Sequence, residues 1–268
     1  METKHKWKQK VLTGALATSL LVLPLAGCGQ ATSDSKANAS EAPKTEQVKS
    51  ETEHSFKNVN YSAERYLSYI YERKSTEMKD LLGIDREQFE AQQLQFFEES
   101  AGSVTPIDNP LMIQYEGFYE VYPPEKIKED YAQAMVAYFE QIQDGYSIEK
   151  FEKTDNGAEV TVKVKGIALN ALAGQANTYL DSLVGFDQHM ALSQYPSDLT
   201  EKANAVLQFW AMGQLYQHGN KAPMLEEPTE YTLFFEKDHD GNYKPGDDAM
   251  KEVYSGSKKN TYEDGKEI

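Results

Sequence analysis

A change of composition near the N-terminus limits how much of this 268-residue chain can fold. Lys4, Lys6, Lys8 and Lys10 stand against one acid, Glu2, in the first ten residues. An apolar run from Val11 to Leu25 follows, interrupted by Thr13, Gly14, Thr18, Ser19 and Pro24. A basic start, a short apolar stretch and small residues after it describe a secretory signal peptide. The run is too short and too interrupted to read as a membrane-spanning helix of ~20 residues. From Gly29 to Ser55 the composition shifts to Ala, Ser, Thr, Lys, Glu and Gln, and Val48 is the only large apolar side chain. Such a stretch buries too little surface to offset its ordering entropy, so it reads as a disordered tether. Flexible-chain scaling gives it a span of roughly 30 Å. Folding is thereby confined to residues 56–268, room for one substantial domain or two small ones.

The four residues that end the apolar run, Leu25-Ala26-Gly27-Cys28, match the bacterial lipobox position by position: an apolar residue, two small residues and a cysteine. That resemblance implies a lipoprotein cleaved after Gly27, with Cys28 carrying a thioether-linked diacylglycerol and becoming the mature N-terminus. Its acyl chains, palmitate among them, hold the protein on the outer, extracytoplasmic face of the cell membrane, since two chains anchor stably where one does not. The expected organisation is a signal peptide over 1–27, a lipidated Cys and tether over 28–55, and a single globular domain over 56–268 whose tail frays after 255. Leu20 to Gly27 also resembles the short hydrophobic peptides that some Gram-positive bacteria release from lipoprotein signal sequences as mating pheromones.

Charge narrows the partners. The chain carries 27 Lys+Arg against 43 Asp+Glu, and losing residues 1–27 takes away four Lys and one Glu, which leaves a net charge of −19. Nucleic acid is excluded as an electrostatic partner, because phosphate binding needs Lys and Arg to displace counterions. An anionic membrane surface repels such a body, so lipid rather than charge is expected to hold it there. The single cysteine excludes an intramolecular disulfide framework, a Cys-based zinc site and a Cys-x-x-Cys redox pair.

The remaining sequence reads as α+β. Ala63, Tyr66, Leu67, Ile70, Tyr71 and Met78 recur at the helical period, and Leu81-Leu82-Gly83 reads as a stop. Asp85 and Gln88 form a capping box ahead of a helix bearing Phe89, Gln93, Phe96 and Phe97. Pro123-Pro124 starts a helix with Ile127, Tyr131, Ala134, Met135, Tyr138, Phe139 and Ile142 on one stripe. The period then changes to two. Tyr146 to Lys153 and the alternating Val160, Val162 and Val164 read as a hairpin joined at Asp155-Asn156-Gly157, where Asn-Gly supplies the positive φ of a tight turn. Two helices follow, one over Leu169 to Val184 and one from Ser197 to a stop at Gly219. A strand over Thr229 to Lys237 turns at Asp240-Gly241 into a short strand before Pro245, and a last helix runs from Asp247 to Tyr254. The expected fold is several amphipathic helices packed on a small antiparallel sheet built from hairpins.

Leu82-Gly83-Ile84 after a Tyr-rich helix, Tyr146-Ser147-Ile148-Glu149-Lys150 leading into Glu159 to Val164, and Asp240-Gly241-Asn242-Tyr243-Lys244 before a short helix resemble an uncharacterised family. Its members are surface lipoproteins of Gram-positive, lactic-acid-type bacteria that carry a domain of unknown function. The resemblance covers roughly Asn60 to Tyr254 and implies a fold and an address. It brings no catalytic residues.

The catalytic inventory is poor. The sequence has no Gly-x-Ser-x-Gly elbow, no His-Glu-x-x-His, no phosphate-binding glycine loop and no Rossmann fingerprint. His189 and His218 follow amphipathic helices, where a cation suits the C-terminal dipole, and His239 stands in a turn. Glu98-Glu99, Glu226-Glu227 and Asp247-Asp248 read as solvated surface charge, since neighbouring side chains on one element point apart. An envelope hydrolase would need carboxylates from separate elements to converge. Glu236, Asp238, Asp240, Gly241 and Asp247 fall at positions of a calcium loop, but a hairpin turn and a helix cap explain the same residues. No catalytic, metal or cofactor residue is assigned, and no cofactor is expected. Tyr115, Phe118, Tyr119, Tyr122, Pro123 and Pro124, interleaved with Glu116 and Glu120, read as a core-covering strand leading into a helix. The alternative is a groove for a peptide or glycan. The expected role is non-catalytic binding or scaffolding at the cell envelope.

Overall fold

The structure is a computed structural model that describes residues 54–74, 77–104, 110–115, 117–193 and 195–259. Gly27, Cys28, the signal segment and the stretch to residue 53 lie outside the described residues. Helix α1 (Val59–Glu72) is capped by Asn58, whose side chain accepts the Asn60 N–H at 3.0 Å. It stops at Arg73, which takes a left-handed φ of 52°, so the helical period that reaches Met78 in the sequence is divided between two helices. The second, α2 (Met78–Leu82), ends on Gly83 at φ 74°. Helix α3 (Arg86–Val104) opens on a reciprocal capping box: Asp85 Oδ1 accepts the Gln88 N–H at 2.9 Å, and Gln88 Oε1 accepts the Asp85 N–H at 3.0 Å.

A two-stranded hairpin, β1 (Leu111–Tyr115) and β2 (Phe118–Tyr122), leads into α4 (Pro124–Glu140), with Pro124 in its first turn. Strands β3 (Tyr146–Lys153) and β4 (Gly157–Val164) form the next hairpin, followed by the two-residue β5 (Ile167–Ala168) and helix α5 (Leu169–Ser182). The short α6 (Gln188–Leu192), a 3-10 turn over Ser197–Leu199 and α7 (Thr200–Gln217) complete the helical half. Strands β6 (Thr229–Lys237) and β7 (Tyr243–Pro245), helix α8 (Ala249–Gly256) and the two-residue β8 (Lys258–Lys259) close the chain.

The main sheet is antiparallel in the order β3-β4-β6-β7, so β4, whose Val160, Val162 and Val164 are buried, lies inside it. A register shift between Ile148 and Lys150 lets Tyr146, Ile148 and Phe151 all face inward despite their uneven spacing. The glycine of Asn156-Gly157 serves a different purpose from the one its sequence suggests, for neither residue has a positive φ. Instead, a Cβ at Gly157 would lie 2.1 Å from the Phe235 carbonyl oxygen, so the close approach of β4 to β6 is what needs glycine. Gly241, at φ 87°, does take the left-handed turn conformation.

Sheet and helices share one buried apolar cluster among the described residues. At its centre Tyr254 packs on Phe97 and Phe139, with ring centroids 4.7 Å apart in both pairs. The Tyr71 hydroxyl sits 2.9 Å from the Tyr231 hydroxyl and also bonds the Ser257 hydroxyl, which in turn donates to the Val253 carbonyl at 2.6 Å. That network corrects the expected fraying after residue 255. Ser257 is fully buried, and Lys258–Lys259 pairs in parallel with β5. Residues 260–268 lie outside the described residues.

Candidate functional site

The β1–β2 hairpin forms its own two-stranded sheet, separate from the main one. Alternation sorts its side chains. Leu111 and Ile113 are fully buried and pair across the strands with Tyr122 and Glu120. On this inner face the Tyr122 hydroxyl donates to Glu120, and the Tyr122 ring meets Trp210 of α7 edge-on at 5.3 Å. Trp210 in turn packs against Tyr179 of α5, with centroids 6.1 Å apart. Burial, and then the Glu120 carboxylate, push the Tyr179 phenol above its ordinary pKa.

The opposite face is also apolar, and it is exposed. Met112 pairs with Val121 and Gln114 with Tyr119, so these four share one side of the sheet. Met112 is 45% exposed, Val121 58% and Tyr119 70%, and Phe118 beside the turn is also 70% exposed. Among the described residues this face bears no charged side chain, in a chain of which 26% is charged. Helix α6 lies against β1 and carries the exposed Met190.

This corrects the reading of residues 115–124 as a core-covering strand. Only Tyr122 turns into the protein; Phe118, Tyr119 and Pro123 do not. Glu116 and the Tyr115 side chain lie outside the described set. Two apolar faces give no alternation of polar and apolar residues, so the strands do not announce themselves. The available signal was Gly117, whose φ of 80° makes the turn.

Asp238 accepts the backbone N–H groups of Asp240 at 3.0 Å and Asn242 at 2.9 Å, and Lys244 Nζ lies 3.2 Å from it. These bonds, the Asn242 N–H foremost, lower its pKa to about 2. The Asp238, His239 and Asp240 side chains do gather within 4.8 Å, but the Asp238 carboxylate is committed to the turn. Glu236 stands in the β6–β7 ladder opposite Lys244. At the last helix the N-cap position belongs to Asp248 rather than Asp247, and its side chain makes no capping bond.

His189 does not end α5. It lies in α6, in the wall of a shallow, open depression of about 640 Å³ shared with Leu180, Asp181, Phe186 and Leu192. Asp187, in the same wall, accepts the Met190 N–H at 3.1 Å and so caps α6. His218 caps α7, with Nδ1 2.7 Å from the Gln214 carbonyl. Glu99, Glu226, Glu227, Asp247 and Asp248 are exposed and Glu98 is half-buried.

No family model and no curated protein matches this chain. Among solved structures it is similar to the crystal structure of "a putative lipoprotein" from Bacillus subtilis, at 11% identity and a TM-score of 0.47. The match covers 75% of this chain and 56% of the other, so this chain spans just over half of that protein's length. A likeness at that level carries no argument about function. The α+β class rests on the elements described above.

Proposed function

We propose that this chain is a lipid-anchored lipoprotein on the outer face of the cell membrane, and that its folded part binds rather than catalyses. The anchor is supported by the sequence alone: the lysine-rich start, the apolar run, and Leu25-Ala26-Gly27-Cys28 ahead of a polar tether. The length of that tether supports a Gram-positive surface, where a domain has to stand clear of the head groups.

The observation that carries the binding role is the outward face of β1–β2. Exposed apolar surface of this kind, gathered on one face and free of charge, marks interaction sites. Single scattered apolar residues need no such explanation. A two-stranded hairpin is marginal on its own and here is secured by its inner face, Leu111, Ile113 and Tyr122. The outward Tyr119 and Val121 lie on the other side of the sheet from these packing contacts.

Two measurements test the proposal. Mass spectrometry of the mature N-terminus is expected to find a diacylated Cys28, and an unmodified Cys28 refutes the anchor. A benzophenone-bearing phenylalanine at position 119, photolysed on intact cells, is expected to give covalent protein adducts. Absence of any adduct refutes the docking face.

A further inference from the structure

We propose that the outward face of the β1–β2 hairpin, Met112, Gln114, Tyr119 and Val121, is a homotypic contact through which anchored copies of this chain pair. The inference rests on the docking role proposed above and names its partner.

Charge selects the occupant. The anchored body, at net charge −19, attracts basic partners, yet a basic partner calls for carboxylates beside its apolar contacts, and among the described residues this face presents none. The nearest carboxylate of the described strands, Glu120, is on the other side of the hairpin, where it accepts from Tyr122. A bilayer is disfavoured as well. A body of net charge −19 is repelled by head groups that are commonly anionic. Two copies of this protein, by contrast, repel each other over most of their surfaces. An uncharged face is where they can meet without burying a carboxylate. Such a face is also self-complementary about a two-fold axis, with apolar side chains opposing apolar side chains from two stacked sheets.

Area sets the strength. The exposed parts of Met112, Tyr119 and Val121 sum to about 350 Å² per copy, hence about 700 Å² for a pair, below the range of stable specific interfaces and in that of weak, transient contacts. Such a contact is weak in dilute solution. Copies held by lipid on one membrane meet at a far higher effective concentration, and a span of roughly 30 Å in the tether lets two domains turn toward each other. The weakness of the contact and the anchor are thus matched.

The test uses full-length protein in its own membranes. A Tyr119→Cys variant is treated with a bis-maleimide of about 10 Å span, the spacing of two stacked sheets. The control is Glu159→Cys, on the solvent face of the main sheet. Covalent dimer is expected at position 119 well above the control, falling about tenfold when Val121→Asp is added, because a charge is then buried at the centre of the contact. Equal yields at 119 and 159, or adducts at 119 only with other proteins, overturn the inference. The second result leaves the docking role standing, whereas the absence of any adduct at 119 removes both. Protein recovered in the soluble fraction removes the anchor and, with it, the effective concentration on which this pairing depends, and so overturns the inference as well.

Discussion

Two hairpins in this molecule use the same two-residue alternation and reach opposite outcomes. In β3–β4 the inward side chains, Val160, Val162 and Val164 with Tyr146, Ile148 and Phe151, build the core. The outward ones on β4, Glu159, Thr161 and Lys163, are content in water. In β1–β2 the inward Leu111, Ile113 and Tyr122 likewise pack on the body, but the outward Met112, Tyr119 and Val121 remain apolar and exposed. The first hairpin is explained completely by folding. The second carries apolar surface that folding does not use, and that surplus is the reason to assign it a partner.

The comparison breaks if the core around the first hairpin tolerates change or the outer face of the second does not. The largest effect is expected at Tyr254, fully buried against Phe97 and Phe139. Tyr254→Ala is expected to lower stability by about 3–5 kcal/mol in urea unfolding. Alkali is expected to act next, through several buried phenols together. Burial raises Tyr71 to about 12 despite the opposing bonds from Ser257 and Tyr231, and burial raises Tyr138 to about 12 as well. Their ordinary value is 10.0. A raised pKa means the folded state favours the neutral phenol, so this stability is fully present below pH 10. It is lost as pH rises through 12. Unfolding followed by circular dichroism between those limits checks the sign; a chain as stable at pH 12 as at pH 9 contradicts it.

Gly157→Ala comes third, at about 1–3 kcal/mol, because the new Cβ meets a backbone carbonyl that cannot rotate away. Tyr71→Phe follows at about 1–2 kcal/mol, since it strips the hydroxyl that joins Tyr231 and Ser257. The smallest expected change is at Val121→Asp, within about 0.5 kcal/mol of the parent by thermal unfolding, because the side chain already faces water.

What was legible in the sequence follows the same division. The capping box at Asp85 and Gln88, Pro124 at the head of α4 and the valine alternation of β4 are local signals, and each appears where it should. The Asn156-Gly157 turn was legible in place but not in cause. The demand for glycine comes from Phe235, a strand distant in sequence. Tyr71, Tyr231 and Ser257 meet across some 160 to 186 residues, so nothing local marks the network. The extra order it gives to residues 256–259 was likewise invisible. The aromatic cluster before Pro123 is visible in the sequence as a cluster, but the sequence carries no sign that most of its described side chains are exposed. Composition makes Phe118 and Tyr119 candidates for a core, and only the strand register reveals which way the face turns.

The central claim is that the outer face of β1–β2 exists for contact and not for folding. Photo-cross-linking on intact cells tests it most directly, with the same benzophenone side chain placed in turn at position 119 and at position 159 of the solvent-facing β4 surface. The account predicts adducts from 119 and none above background from 159. Equal yields from the two positions, or none from 119, would contradict it.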